Sequence, residues 1–126
     1  MSVTSSQSQV ASIANPLPVD IIIPIYRNLP VTRACLESVL ASDLPADTQI
    51  ILIDDASPEP ALSAWCREQA RQAGIELLAN EQNRGFVASV NRGMAFSADR
   101  DVILLNSDTR VANNWVQRMQ ATAYAV

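Results

Sequence analysis

The sequence predicts an α/β fold: a mainly parallel sheet in a Rossmann-like three-layer sandwich. Three observations point there. Four short apolar runs, rich in Ile, Val and Leu, recur along the chain. Patterns with the helical period separate them, giving the order β-α-β-α-β-α-β-α. The runs are nearly continuous rather than alternating in polarity, as expected of strands buried on both faces of a parallel sheet.

Taken in order, residues 1–18 are rich in Ser, Gln and Ala without a period and read as a flexible tail, leaving 19–126 as the folded unit. The first strand opens at Val19 and is expected to end near Ile23 or Pro24, because proline has no N–H for a ladder. Pro30 suits a first helical turn. Val31, Cys35, Leu36, Val39 and Leu40 then form an apolar helical face running to about Ser42. The second strand spans 49–53 and ends in Asp54-Asp55. Ser57 and Pro58 signal a second helix. Its buried stripe is Leu62, Trp65, Cys66, Ala70 and Ala73, with Gly74 as the stop. A short third strand covers 75–78. After a polar loop, Gly85 opens a third helix whose apolar face is Val87, Val90 and Met94. Gly93, unfavourable in mid-helix by about 1 kcal/mol against Ala, implies close packing of that helix on the sheet. The fourth strand, 101–105, leads into Asn106-Ser107-Asp108. Asn113 or Asn114 caps a last helix with Trp115, Val116, Met119 and Ala123 on its buried face.

Composition removes whole classes of chemistry. The chain has no histidine, which excludes Ser-His-Asp and Cys-His catalysis and His-ligated zinc. All nine basic residues are arginine, so a P-loop and Schiff-base chemistry are absent as well. Carboxylate, amide, hydroxyl and arginine groups remain, a set suited to a hard cation and a phosphorylated ligand. A net charge of −4 without a basic patch argues against nucleic acid. No apolar run reaches the length of a membrane span and no secretory signal is visible, so the expected location is cytoplasmic. Cys35 and Cys66 fall in apolar helical patterns and read as core residues.

The polar residues collect after the strands: Tyr26-Arg27-Asn28, Asp54-Asp55, the 80–85 loop, and Asn106 with Asp108. In a parallel sheet these positions share one edge, where ligands bind in open α/β folds. Asn106 and Asp108 stand two apart, so an extended strand end would present both on one side. Each group has a plainer reading as a strand-end turn or helix cap. Their co-location favours a binding site, since converging carboxylates repel unless a cation or donors offset them. Arg84, beside Gly85 at a helix start, is placed to meet an anion, more so than Arg27.

These segments resemble family 2 glycosyltransferases of the GT-A fold. The first strand through Asn28 looks like their opening strand. Asp54-Asp55-Ala56-Ser57 resembles their "vDDgS" segment. Asn80-x-x-Asn83-x-Gly85 followed by Asn91-x-Gly93 resembles their "N-x-x-N-x-G…N-x-G" segment, and Leu104-Leu105-Asn106-Ser107-Asp108-Thr109 their variant "D-x-D" motif. The resemblance runs from Val19 to about Trp115. It implies a nucleotide-diphospho-sugar donor and inverting transfer to an acceptor hydroxyl on a glycan or lipid. By position it implies that Pro24 and Tyr26 border the nucleoside, that Asp54 or Asp55 binds base or ribose, and that Arg84 lies near base or diphosphate. Asp108 would hold the diphosphate through Mg²⁺ or Mn²⁺, with Asn106 at the sugar and diphosphate.

Two departures qualify that picture. Asn106 stands where the family usually has Asp, which points it toward the sugar or a water rather than the metal. No carboxylate follows Thr109, whereas the family's catalytic base lies in a later, acceptor-binding half. The 126 residues are therefore expected to hold the donor and to be inactive alone, with the base beyond Val126 and a sheet edge left open to self-association. A non-catalytic nucleotide-sugar-binding or protein-interaction module of the same fold is the alternative. A receiver domain is disfavoured by the missing lysine and by the lack of acids after the first strand. A dehalogenase-like enzyme is disfavoured because Tyr26-Arg27-Asn28 stand where its nucleophilic Asp belongs.

Overall fold

The structure is a computed structural model that describes residues 16–125. Residues 1–15 of the expected tail lie outside that range. Eight elements alternate: β1 (Val19–Ile25), α1 (Leu29–Ala41), β2 (Gln49–Asp54), α2 (Pro60–Gln69), β3 (Ile75–Ala79), α3 (Phe86–Met94), β4 (Asp101–Leu104) and α4 (Trp115–Tyr124). The strands form one parallel sheet in the order β3-β2-β1-β4. The chain moves from β1 to β2 to β3, then returns across the sheet to place β4 on the far side of β1. Right-handed crossovers put α1 and α2 on one face and α3, on the return leg, on the other.

The two cores follow from that topology. Ile21, Ile23 and Ile25 of β1 and Leu52 of β2 meet Leu36 and Val39 of α1, Leu62 and Cys66 of α2, and Trp115 and Val116 of α4. Ile22, Ile51 and Ile53, one residue out of phase, meet Leu78 and Val90 on the α3 side. Alternation along a strand separates the two sets. Cys35 and Cys66 are buried free thiols, as their patterns implied.

The α3 face departs from expectation. Val87 is 70% and Met94 48% exposed, while Ser89 and Gly93 are buried against the sheet. The reason is distance. A Cβ at Gly93 would come within 2.9 Å of Ile53 Cδ1 and 3.1 Å of Ile22 Cγ2. The helix lies close to the sheet at Gly93, with small residues at the tightest points, so of its apolar residues Val90 packs on the sheet while Val87 and Met94 stay exposed. On β4, Val102 and Leu104 are also exposed. The second helix starts later than Ser57-Pro58 suggested, at Pro60. It ends at Gln69, so Gly74, with φ +85°, serves the turn into β3 rather than the helix stop, and Ala73 is exposed.

Two devices set the ends of the sheet. At the N-terminal edge Arg100 Nε donates to Asp20 Oδ1, and its Nη2 donates to the Val19 and Asp47 carbonyls. This joins β1, β4 and the loop before β2. At the C-terminal edge β1 continues through Pro24 to Ile25, past the expected stop. The Ile22 carbonyl accepts from Leu105 N–H at 2.9 Å, so the even positions of β1 bond toward β4. Pro24 is the next residue facing that way and has no N–H to give. The ladder between β1 and β4 stops there, and the two strands part.

Candidate functional site

The gap left above Pro24 is a cleft of about 420 Å³ at the C-terminal ends of β1 and β4. It sits where the strand order reverses, the usual ligand position in such sheets. Pro24 lines it from β1, Tyr26 and Arg27 from the loop after β1, Asp55 from just after β2, Asn83, Gly85, Phe86 and Ser89 from the loop and start of α3, and Asn106, Ser107 and Asp108 from the turn after β4. The Arg27 guanidinium lies 5.1 Å from the Tyr26 ring centroid, a cation–π contact that holds both at the rim.

Asp54 and Asp55 separate in role because consecutive residues of a strand end face opposite sides. Asp54 turns toward α2. Its Oδ1 accepts from Ser57 N–H at 2.9 Å and its Oδ2 from Ser63 Oγ at 2.7 Å, which ties the loop before α2 and the helix's first turn to the end of β2. The side chain does not line the cleft. Asp55 turns toward α3 and does. Its Oδ1 accepts from the Arg84 N–H and from Asn80 Nδ2, both at 2.8 Å, and its Oδ2 accepts from Gly85 N–H at 2.9 Å. Burial raises the Asp55 pKa, but these donors together with Ser89 outweigh it and hold the carboxyl below its ordinary value.

Arg84 therefore contributes its backbone. Its side chain lies in a separate groove of about 610 Å³ along β3, with Arg92 and Asn91. The structure does not bring the Arg84 guanidinium into the cleft.

After β4 the chain does not stay extended. Thr109 N–H donates to the Asn106 carbonyl at 3.0 Å, closing a turn over Ser107 and Asp108. Asn106 and Asp108 thus reach the cleft from a turn, not from a strand end as the spacing suggested. Cys35 lies beneath, its thiol donating to the Asn106 carbonyl at 3.6 Å. Burial pushes that thiol up to about 11; a backbone contact from Thr109 opposes it, and the nearby Asp108 carboxylate adds a smaller rise.

Among the described residues no three acidic, histidine or cysteine side chains gather as a complete metal cage. Asp108 and Asn106 offer one carboxylate and one amide oxygen. That partial set fits Mg²⁺ or Mn²⁺ held between one carboxylate and substrate phosphates, the habit of small hard cations at nucleotide sites. Asn83 and Gly85 line the cleft from the 80–85 loop, and Phe86, Ser89 and Ser107 join them beyond the residues the sequence pattern pointed to. Phe86 carries a signal in the sequence, an aromatic directly after Gly85 at the helix start, and it is 53% exposed in the structure. Ser89 had none, since a small polar residue in mid-helix reads as ordinary.

The sequence profile of glycosyl transferase family 2 matches residues 20–125. The chain is 30% identical over 107 residues to uncharacterized protein y4gI of Sinorhizobium fredii, covering 83% of this chain and 12% of that protein. It is 22% identical over 105 residues to glycosyltransferase AglE of Haloferax volcanii, covering 82% and 34%. Among solved structures it resembles mannosyltransferase PcManGT of Pyrobaculum calidifontis in complex with GDP-Man and Mn²⁺, with TM-score 0.68, 20% identity, and 78% and 29% of the two chains covered. It also resembles S. aureus TarS in complex with UDP-GlcNAc, with TM-score 0.71, 19% identity, and 83% and 30% covered. These likenesses give the GT-A fold. The chain spans about a third or less of the length of these proteins.

Proposed function

The chain belongs to glycosyl transferase family 2, and from that premise we propose that the β1–β4 cleft binds the donor of a sugar-transfer reaction, a nucleotide-diphospho-sugar. In the whole protein the sugar would pass with inversion to an acceptor hydroxyl of a glycan or lipid. One observation carries the reading. Asp55, Asn106 and Asp108, from the ends of two different strands, converge on one cleft at the switch point, beside Tyr26 and Phe86.

Pro24 and Tyr26 border the nucleoside, and the Tyr26 ring offers a face for the base. Asp55 has committed both oxygens to the protein, yet a carboxylate can take about four hydrogen bonds. Asp55 lines the cleft, and its carboxylate suits a ribose hydroxyl or base N–H. Asp54, enclosed at the start of α2, supports the loop instead. Arg84 serves through its N–H. Asp108 holds the diphosphate by way of Mg²⁺ or Mn²⁺, and Asn106 contacts the sugar side or a water. A divalent ion there supplies Lewis-acid neutralisation of the leaving diphosphate.

Inverting transfer also needs a base for the acceptor hydroxyl. Among the described residues the cleft holds two carboxylates, Asp55 and Asp108, and this reading commits both to the donor. These 126 residues by themselves are then donor-binding and inactive in transfer.

Calorimetric titration of UDP-, dTDP- and GDP-sugars with and without Mn²⁺ tests the site. Binding that requires metal and falls at least tenfold in Asp108→Ala and in Asp55→Ala is expected. Undiminished binding in both variants sinks the assignment, and sugar transfer by this chain alone overturns its inactivity.

A further inference from the structure

We propose that Arg92, which does not touch the cleft, is a positioning residue for donor binding: through Asn80 it sets the orientation by which Asp55 holds the 80–85 loop as the cleft wall. This rests on the donor-binding reading above and extends it to a residue on the other flank of α3.

Asn80 is buried, and its backbone N–H and both polar atoms of its side chain are committed. Its backbone N–H donates to the Asp54 carbonyl at 2.8 Å. Its Nδ2 donates to Asp55 Oδ1 at 2.8 Å and to Ser89 Oγ at 3.0 Å. Its Oδ1 accepts from Arg92 Nη1 at 2.7 Å. A primary amide is nearly symmetric in shape, so sterics alone do not choose between its two orientations. Turned over, its oxygen would face the Asp55 carboxylate and its nitrogen the Arg92 guanidinium, like polarity against like. A negative group on one side and a positive group on the other select the observed orientation. Ser89 alone cannot make that choice, because a hydroxyl both donates and accepts.

The consequence reaches the cleft through Asp55. That carboxylate gathers the Asn80 amide and the Arg84 and Gly85 N–H groups. Asn83 and Gly85 of the same loop, and Phe86 just after it, line the cleft. If the Asn80 amide turns, Asp55 loses a donor and gains a repulsive oxygen. The loop then loses its anchor on the β2 side. Arg92 itself is exposed in the β3 groove, and among the described residues no carboxylate lies within salt-bridge reach of it. Its guanidinium is therefore free to serve Asn80.

The test measures UDP, dTDP and GDP affinity in the presence of MnCl₂ by calorimetry, and amide hydrogen exchange at Arg84 and Gly85, in the wild type, Arg92→Ala, Arg92→Gln and Arg92→Lys. Arg92→Ala is expected to weaken nucleotide binding about five- to tenfold, the scale of a partly exposed hydrogen bond from a charged group, and to speed exchange at both amides. Arg92→Lys, which keeps a charged donor, should recover most of both signals. Arg92→Gln, which keeps an N–H without charge, should fall between, and it reads the same signals should the Ala variant not fold. Unchanged affinity in Arg92→Ala, with the wild type binding normally, overturns the inference and leaves the donor site standing. Weaker binding with both amides still protected also overturns it, since the effect would then bypass Asp55. A wild type that binds none of the three nucleotides overturns the donor reading and this inference together.

Discussion

Gly93 is the point where one methyl group should act on both stability and binding. Gly93→Ala raises helix propensity by about 1 kcal/mol and, on an exposed helix, would stabilise. Here the new Cβ meets Ile53 Cδ1 at 2.9 Å, Ile22 Cγ2 at 3.1 Å and Ile22 Cβ at 3.3 Å. Ile53 Cδ1 is the end of a flexible side chain and can rotate away. Ile22 is β-branched, fully buried and on β1, between β2 and β4, so its atoms near Gly93 follow the backbone. Overpacking of this kind costs about 1–3 kcal/mol. The net expectation is a loss of about 1 kcal/mol, or roughly 4–8 °C in melting temperature for a domain of about 100 residues. The way to relieve the clash is for α3 to rise from the sheet. Ser89 and Phe86 of that helix line the cleft, so nucleotide affinity should weaken with stability. Urea unfolding and calorimetric binding measure the two. The double variant Gly93→Ala/Ile53→Val removes the closest atom and should recover part of the loss, although Ile53→Val alone costs about 0.5–1.5 kcal/mol. A Gly93→Ala protein more stable than wild type would refute the close approach of helix and sheet.

At the opposite edge, Asp20 is 2% and Arg100 16% exposed at the side chain, so their pair is a buried one. Arg100→Ala strands that carboxylate and should cost about 3–5 kcal/mol in denaturant unfolding, more than Asp20→Asn. A loss under about 1 kcal/mol would mean the pair behaves like a surface contact. The two thiols supply a pH prediction. Burial, then the Asp54 carboxylate, push Cys66 up to about 12 despite Arg67, and Cys35 stands at about 11. Folding thus favours the protonated thiols, and the associated stability is complete below about pH 8.5 and declines above it, as the unfolded thiols ionise. Folded protein at about pH 8 should react with a thiol reagent more than 100-fold slower than protein in urea, since the thiolate is the nucleophile. Rapid labelling of either cysteine in the folded state would count against its burial.

Much of the fold was legible because it depends on local pattern. The Ile-rich runs, the helical periods between them, the Pro30 start and the absence of His and Lys are properties of the chain, and they sufficed for the parallel α/β architecture and for the class of chemistry. The site was legible as a neighbourhood, since residues that follow parallel strands share an edge whatever the details. Individual roles were harder to read. Periodicity says which residues of α3 share a side; it does not say how near the helix lies to the sheet. That distance, set by Gly93 against Ile22 and Ile53, turned Val87 and Met94 outward.

The Asp54-Asp55 pair shows the same division. The sequence by itself determined that two adjacent carboxylates end β2 and that their side chains must point to opposite faces. Which face meets the cleft depends on the return crossover that lays α3 across the sheet and sets β4 beside β1, a relation between distant segments. That crossover placed Asp55 in the cleft and Asp54 at the start of α2, and it left the Arg84 side chain on the far flank of α3. Pro24 belongs to both accounts. Its missing N–H is written in the sequence, but its effect, parting β1 from β4 to open the cleft, exists only because β4 is the neighbour on that side.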